Sequence, residues 1–135
     1  VLVYNGGTEQ RGPHAVLGGH TFMARRTAEA IARRLGNALV APVLPFSPAG
    51  SHLNPQWPGS VDLPPQLYAQ VNAAVVASMV TNGFRNIILM GDHGGGQEEL
   101  EKLARTLTPN TPRKALMFTS AARSTRRPAR TSTPG

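Results

Sequence analysis

The sequence predicts an α/β fold: a parallel sheet with helices on both faces. Three observations lead there. Strand-like runs alternate with segments of helical periodicity, in the order strand, helix, strand, loop, helix, strand, helix. The run Asn86-Ile87-Ile88-Leu89-Met90 is continuously apolar, as expected of a strand covered on both faces. Glycine-rich polar clusters follow two of the strands, at the carboxyl ends where open parallel sheets bind ligands.

Each element has a local reason. Val1-Leu2-Val3-Tyr4 is a short β-branched and aromatic run that stops at Asn5-Gly6-Gly7, a strand followed by a turn. Residues 21–35 read as a helix, with Thr21 as its cap, Met23, Thr27, Ile31 and Leu35 as its apolar stripe, and Gly36 as its stop. The pairs Arg25-Arg26 and Arg33-Arg34 lie mostly off that stripe, on a solvated face. Residues 38–41 form a second strand, ended by Pro42 and Pro45, which cannot donate to a ladder. Residues 42–65 hold seven of the 12 prolines and form a long loop of the kind that is usually functional or disordered. Pro64-Pro65 opens a second helix with Leu67, Val71, Val75 and Met79 as its buried stripe and Asn82-Gly83 at its end. After the strand at 86–90 and the turn Gly91-Asp92-His93-Gly94-Gly95-Gly96, a third helix uses Leu100, Leu103, Ala104 and Leu107.

Composition bounds the rest. The chain has 135 residues, enough for one ordinary domain and too few for two. It has no cysteine, which excludes disulfides, thiolate zinc sites and a cysteine nucleophile, so any metal must be held by His, Asp, Glu or water. The net charge of +7 is unevenly placed. Residues 113–135 carry Arg113, Lys114, Arg123, Arg126, Arg127 and Arg130 with no acid, whereas the preceding residues are nearly balanced. The expected division is therefore an α/β domain over 1–108 and a low-complexity basic tail over 109–135. Within the tail, 114–119 offers a bulky apolar cluster that can form a fourth strand, and from Ser120 onward disorder is expected. Six basic residues without aromatic interleaving predict no specific nucleic-acid binding. No apolar run reaches the length of a membrane span and no signal peptide is visible, so a cytoplasmic protein with no membrane partner is the default expectation.

The polar clusters carry the candidate chemistry. Glu9, His20, Asp92 and His93 are oxygen and imidazole donors of the kind that Zn²⁺, Mn²⁺ or Fe²⁺ accepts. Neither cluster fits a phosphate-binding glycine motif. No G-x-S-x-G turn exists to present Ser47, Ser51 or Ser60 as a nucleophile. Trp57 can stack on a planar substrate or anchor its loop to the domain, and anchoring is the expectation. His52, in the proline-rich loop, is expected to be merely exposed.

The segment Gly7-Thr8-Glu9-Gln10-Arg11-Gly12-Pro13-His14, continuing to Leu17-Gly18-Gly19-His20, resembles the opening motif of the creatininase (creatinine amidohydrolase) family. Asp92-His93-Gly94-Gly95-Gly96 resembles that family's G-H-G-G-N, and His52 with Trp57-Pro58-Gly59-Ser60-Val61 resembles its H-x-x-F-P-G-T-I segment. The resemblance implies a three-layer α/β sandwich, here incomplete, metal-dependent hydrolysis of a cyclic or linear amide C–N bond in a small-molecule substrate, and homo-oligomers. It makes Glu9 and His93 metal ligands and His14 the second histidine of the opening motif, catalytic or loop-holding. The chain departs from the family pattern at Arg11, where a metal-binding His is expected, at His20, where an Asp is expected, and at Gly95. A single-metal site of Glu9, His20 and His93 follows, with zinc first and Mn or Fe as alternatives, and with Asp92 as outer acceptor or further ligand. The same departures motivate a second reading, a catalytically silent family member that acts as a binding module.

Overall fold

A computed structural model describes residues 1–108 and, in backbone, the strand Ala115–Thr119. Leu2–Asn5 (β1), Ile87–Gly91 (β2) and Ala115–Thr119 (β3) form a three-stranded parallel sheet in the order β1-β2-β3. Tyr4 stands opposite Met90, and Leu89 opposite Met117. Alternation along the strands gives the sheet two apolar faces. Leu2, Tyr4 and Met90 face one way and are covered by Gly19–Leu35 (α1) through Ala24 and Ala28. Val3, Ile87 and Leu89 face the other way, where Pro65–Thr81 (α2) brings Val76 and Gln97–Leu107 (α3) brings Leu103 and Leu107. Helices therefore lie on both faces, as the alternation of elements predicts. Each large side chain buried this way contributes about 1.5–3 kcal/mol.

The expected strand at 38–41 is replaced by two isolated bridges, Leu2 to Val40 and Asn5 to Leu44, both parallel. Four residues of β1, Leu2 to Asn5, thus stand against five of the partner segment, Val40 to Leu44, so one residue bulges out. The cause is Pro42. Ala41 N–H bonds to Leu2 O, the next donor to reach β1 is Leu44 on Tyr4 O, and Pro45 has no N–H to continue. The segment still runs along the outer edge of β1. From β1 the chain crosses through α1 to that edge, and through α2 it returns to β2 on the opposite side. The carboxyl ends of β1 and β2 therefore flank a topological switch point, where open α/β sheets form a crevice.

Two helical stripes are shifted from their expected positions, although Ile31 of α1 and Val75 and Met79 of α2 pack partly against the core as expected. On α1 the buried residues are Ala24 and Ala28, while Met23 and Leu35 are exposed. On α2 they are Tyr68, Asn72 and Val76, while Leu67 is exposed. Small alanines let α1 approach the sheet closely, so the face with the least bulk is the buried one. The start of α1 also differs. It begins at Gly19 with Gly18 as its cap, and Thr21 lies inside it, its hydroxyl donating to Gly7 O at 3.4 Å. Its end is as expected, with Gly36 in the left-handed region (φ 71°) donating to Ala32 O. Helix α3 buries Leu100 and Ala104, with Leu103 and Leu107 packed partly against the core, as its spacing predicts.

The proline-rich loop has structure of its own. It contains a short 3₁₀ turn, Gly50–His52, held by Asp62, whose Oδ1 accepts from Ala49 N–H at 2.6 Å and Gly50 N–H at 3.3 Å. Trp57 does not anchor this loop. It is 60% exposed, because the loop is fixed instead by backbone bonds such as Val61 N–H to Thr8 O. No helix among the described residues is long and apolar enough to cross a membrane. The expected disorder from Ser120 onward lies outside the described residues.

Candidate metal centre

The crevice is built by three segments that meet beyond β1 and β2. Glu9 sits on the loop after β1, where Gly6 passes so close to α1 that a Cβ there would lie 2.6 Å from Thr21 Cα. That approach needs glycine. The loop is pinned by Glu9 N–H to Leu17 O and by the Thr8 hydroxyl to Pro45 O. His20 lies in the first turn of α1, and Asp92 and His93 directly follow β2. Asp92 N–H bonds to Asn5 O, which carries the pairing of β1 and β2 one step past the strand and sets the turn in place.

Glu9, His20 and His93 each offer one ligand atom, and these atoms all lie within 4.8 Å of one another. Glu9 and His93 are buried, at 8% and 7% exposure. Glu9 Oε2 is 2.9 Å from His20 Nε2 and 3.6 Å from His93 Nε2. Ligands at ~2.1 Å from a tetrahedral ion stand about 3.4 Å apart, so the observed separations bracket what one ion requires. The protons also fit. His20 Nε2 faces both Arg11 Nη2 at 2.5 Å and Glu9 Oε2 at 2.9 Å; a guanidinium only donates, so with Arg11 in this contact Nε2 accepts and the ring proton is on Nδ1, and an ion bound at Nε2 takes the place of the Arg11 N–H. The Nδ1 proton is held by Asp92 Oδ2 at 2.7 Å, the carboxylate–histidine pairing that orients metal-binding imidazoles. His93 Nδ1 receives the Gly95 N–H at 3.1 Å and stands 3.2 Å from Ser47 Oγ. A ring nitrogen that accepts carries no proton, so a neutral ring in this arrangement holds its proton on Nε2, toward Glu9; an ion at Nε2 requires the proton on Nδ1, where the Ser47 hydroxyl can accept it in place of the Gly95 contact. Burial holds the His93 imidazole below its ordinary pKa, with the Glu9 carboxylate opposing, which favours the neutral ring that a ligand must be.

The structure thus brings together Glu9, His20, Asp92 and His93. It leaves His14 apart: that side chain is exposed in the turn before α1 and does not line the crevice. It also adds residues. His52, expected to be merely exposed, reaches in from the 3₁₀ turn, its Nδ1 2.7 Å from Glu9 Oε1. Ser47, weighed in the sequence only as a nucleophile, is buried behind His93. The sole sequence signal for His52 is its place in the family-like segment, and nothing local marks Ser47. Glu9, His20, His52 and His93, together with Arg11, Pro48 and Gly94, line an open cleft of about 520 Å³.

The family model described as creatinine amidohydrolase matches residues 1–134. The chain belongs to the creatininase family. Among curated relatives, a 3-dehydro-scyllo-inosose hydrolase of Thermotoga maritima is 30% identical over 94 residues, covering 70% of this chain and 30% of the relative. Among solved structures, a mutant creatininase of Zn–Zn type superposes with a TM-score of 0.73 at 21% identity, over 88% of this chain and 50% of the other. A manganese creatininase gives the same TM-score, identity and coverage. The creatininase fold is therefore present, and the chain spans about half the length of those structures.

Proposed function

We propose that this chain is the metal-binding part of a hydrolase of creatininase type that cleaves a cyclic or linear amide C–N bond in a small molecule. The observation that carries this reading is the convergence of Glu9 Oε2, His20 Nε2 and a His93 nitrogen at the sheet's switch point. Glu9, His20 and His93 would hold a divalent ion, zinc first and manganese or iron next, whose Lewis acidity would be the chemistry it brings to an amide and to water. The chain's own residues do the rest. Asp92 keeps the His20 proton on Nδ1, so that Nε2 stays a lone-pair donor. Ser47 and the Gly95 N–H fix the plane of the His93 ring. His52 spends Nδ1 on Glu9 and is half-exposed at the cleft, with no second side-chain hydrogen bond among the described residues. We assign it the proton delivered to the leaving nitrogen. The exposed His14 has no part in this arrangement.

The relatives support the reading in their own terms. The Thermotoga maritima protein is a hydrolase by name, and the creatininase structures are zinc and manganese forms. The silent-member reading is favoured by one contact, the Arg11 guanidinium on the His20 lone pair. Elemental analysis of the purified protein beside His93→Ala decides the site. About one equivalent of zinc in the parent and a loss of at least ten-fold in affinity in the variant is the expected result. Zinc content unchanged by the substitution overturns the metal centre. Hydrolysis of cyclic ureas and formamides at metal saturation then separates enzyme from binding module.

A further inference from the structure

Arg11 is the one permanent cation among the residues that line the cleft. Its side chain is half-exposed, and both of its recorded contacts run through a single nitrogen: Nη2 lies 2.5 Å from His20 Nε2 and 3.6 Å from Glu9 Oε2. Glu9 is no dedicated counter-ion for it, since the same carboxylate already serves His20, His52 and His93. Nη2 carries two N–H groups, one on each edge of the guanidinium, so with one on His20 the other still forms a free edge with Nε or Nη1, neither of which has a partner among the described residues. A guanidinium edge of that kind matches a carboxylate bidentately, in a way that lysine does not. We infer that Arg11 is a specificity-determining residue that anchors a carboxylate of the substrate, so that the cleft takes an anionic amide or ureide in preference to a neutral one.

The charge around the cleft agrees. Asp92 is turned to His20 and does not line the cleft, and Glu9 would share its charge with a bound ion. The permanent charge left facing an incoming ligand is then that of Arg11. A substrate carboxylate meets no dedicated opposing carboxylate there, whereas a cationic substrate would meet Arg11.

The inference rests on the cleft being a substrate site for amide hydrolysis, and its test reads Arg11 separately from the metal. N-carbamoylglycine and its neutral amide, N-carbamoylglycinamide, differ by one negative charge at nearly constant shape. Dissociation constants for both are measured by ligand-detected NMR on the full chain, with and without zinc. The wild-type chain is expected to prefer the anion by about ten-fold, the effect of one charge-assisted bidentate contact in a half-exposed position. Arg11→Gln abolishes the preference, and Arg11→Lys, which keeps the charge without the planar edge, retains part of it. A wild-type preference below about threefold, or one that survives in Arg11→Gln, overturns the inference. The second result means that the carboxylate sits on the metal or elsewhere. Far-UV circular dichroism of both variants establishes that they are folded, and the wild-type comparison decides against the inference even where a variant is not. Zinc content that ignores His93→Ala would remove the metal centre while leaving the charge preference to be read in the metal-free titration.

Discussion

Asn5, the last residue of β1, and Asn72, in the middle of α2, are both fully buried, and their side chains meet beneath the loop that carries Glu9. Asn5 Nδ2 donates to Asn72 Oδ1 at 3.0 Å and to Met90 O at 3.1 Å, and Asn72 Nδ2 donates to Tyr68 O at 3.0 Å. Asn72→Ala removes one acceptor and leaves an Asn5 N–H in a place that water does not reach. The orphaned donor costs about 1–3 kcal/mol. The small void left by the lost amide adds about 1 kcal/mol. A loss of about 2–4 kcal/mol is therefore expected, read as a fall in the urea midpoint at constant slope. The reasoning is sharper in a double-mutant cycle. Asn5 Oδ1 is buried without a partner among the described residues, so Asn5→Ala also relieves a cost. The bond between the two side chains can be lost only once. The double variant should therefore be less destabilised than the sum of the singles by about 1–2 kcal/mol. Additivity within about 0.5 kcal/mol would falsify the account of this pair as a coupled buried contact.

Other consequences follow from single contacts. Gly95→Ala would place a Cβ 1.9 Å from Pro48 O and 3.0 Å from His93 Nδ1, so the turn must shift; a destabilisation of about 1–3 kcal/mol and a zinc affinity reduced about 10–100-fold are expected in denaturation and metal titration. Ala24→Val, on the buried face of α1, should cost about 1–3 kcal/mol by overpacking, whereas Met23→Gln on the exposed face should stay within about 0.5 kcal/mol; the opposite order would restore the stripe read from the sequence. Burial, aided by Glu99, raises the Tyr68 phenol pKa well above its ordinary value of 10.0. Its folded pKa exceeds its unfolded one, so the stability it contributes is complete below pH 10 and lost as pH rises above it, by about 1.4 kcal/mol per pH unit. Tyr68→Phe should therefore unfold less steeply with alkali than the parent, and equal slopes in denaturant titrations from pH 9 to 12 would count against it.

Much of this protein was legible in its sequence because the governing signals are local. Alternation and apolar run length gave β1 and β2, glycine in a left-handed turn ended α1 at Gly36, and a spacing of three and four placed Leu100, Leu103, Ala104 and Leu107 on the buried side of α3. The donor set Glu9, His20 and His93 was readable too, because its residues sit in glycine-flanked segments after strand ends and in motifs shared with the creatininase family. The tertiary structure alone decided the rest. Which residues of α1 and α2 lie deepest depends on how near each helix lies to the sheet, and that puts alanine and a hydrogen-bonded Asn72 below Ile31, Val75 and Met79, which pack only partly against the core. The bulge after Ala41 depends on where β1 places its acceptors relative to Pro42. His52 on Glu9, Ser47 behind His93, Arg11 on His20 and Asn5 on Asn72 are contacts whose partners are chosen by the path of the chain through the proline-rich loop and around the switch point. Periodicity and capping act over a few residues, and so they specify elements; the meeting of side chains 46 or 67 residues apart is specified only once those elements pack.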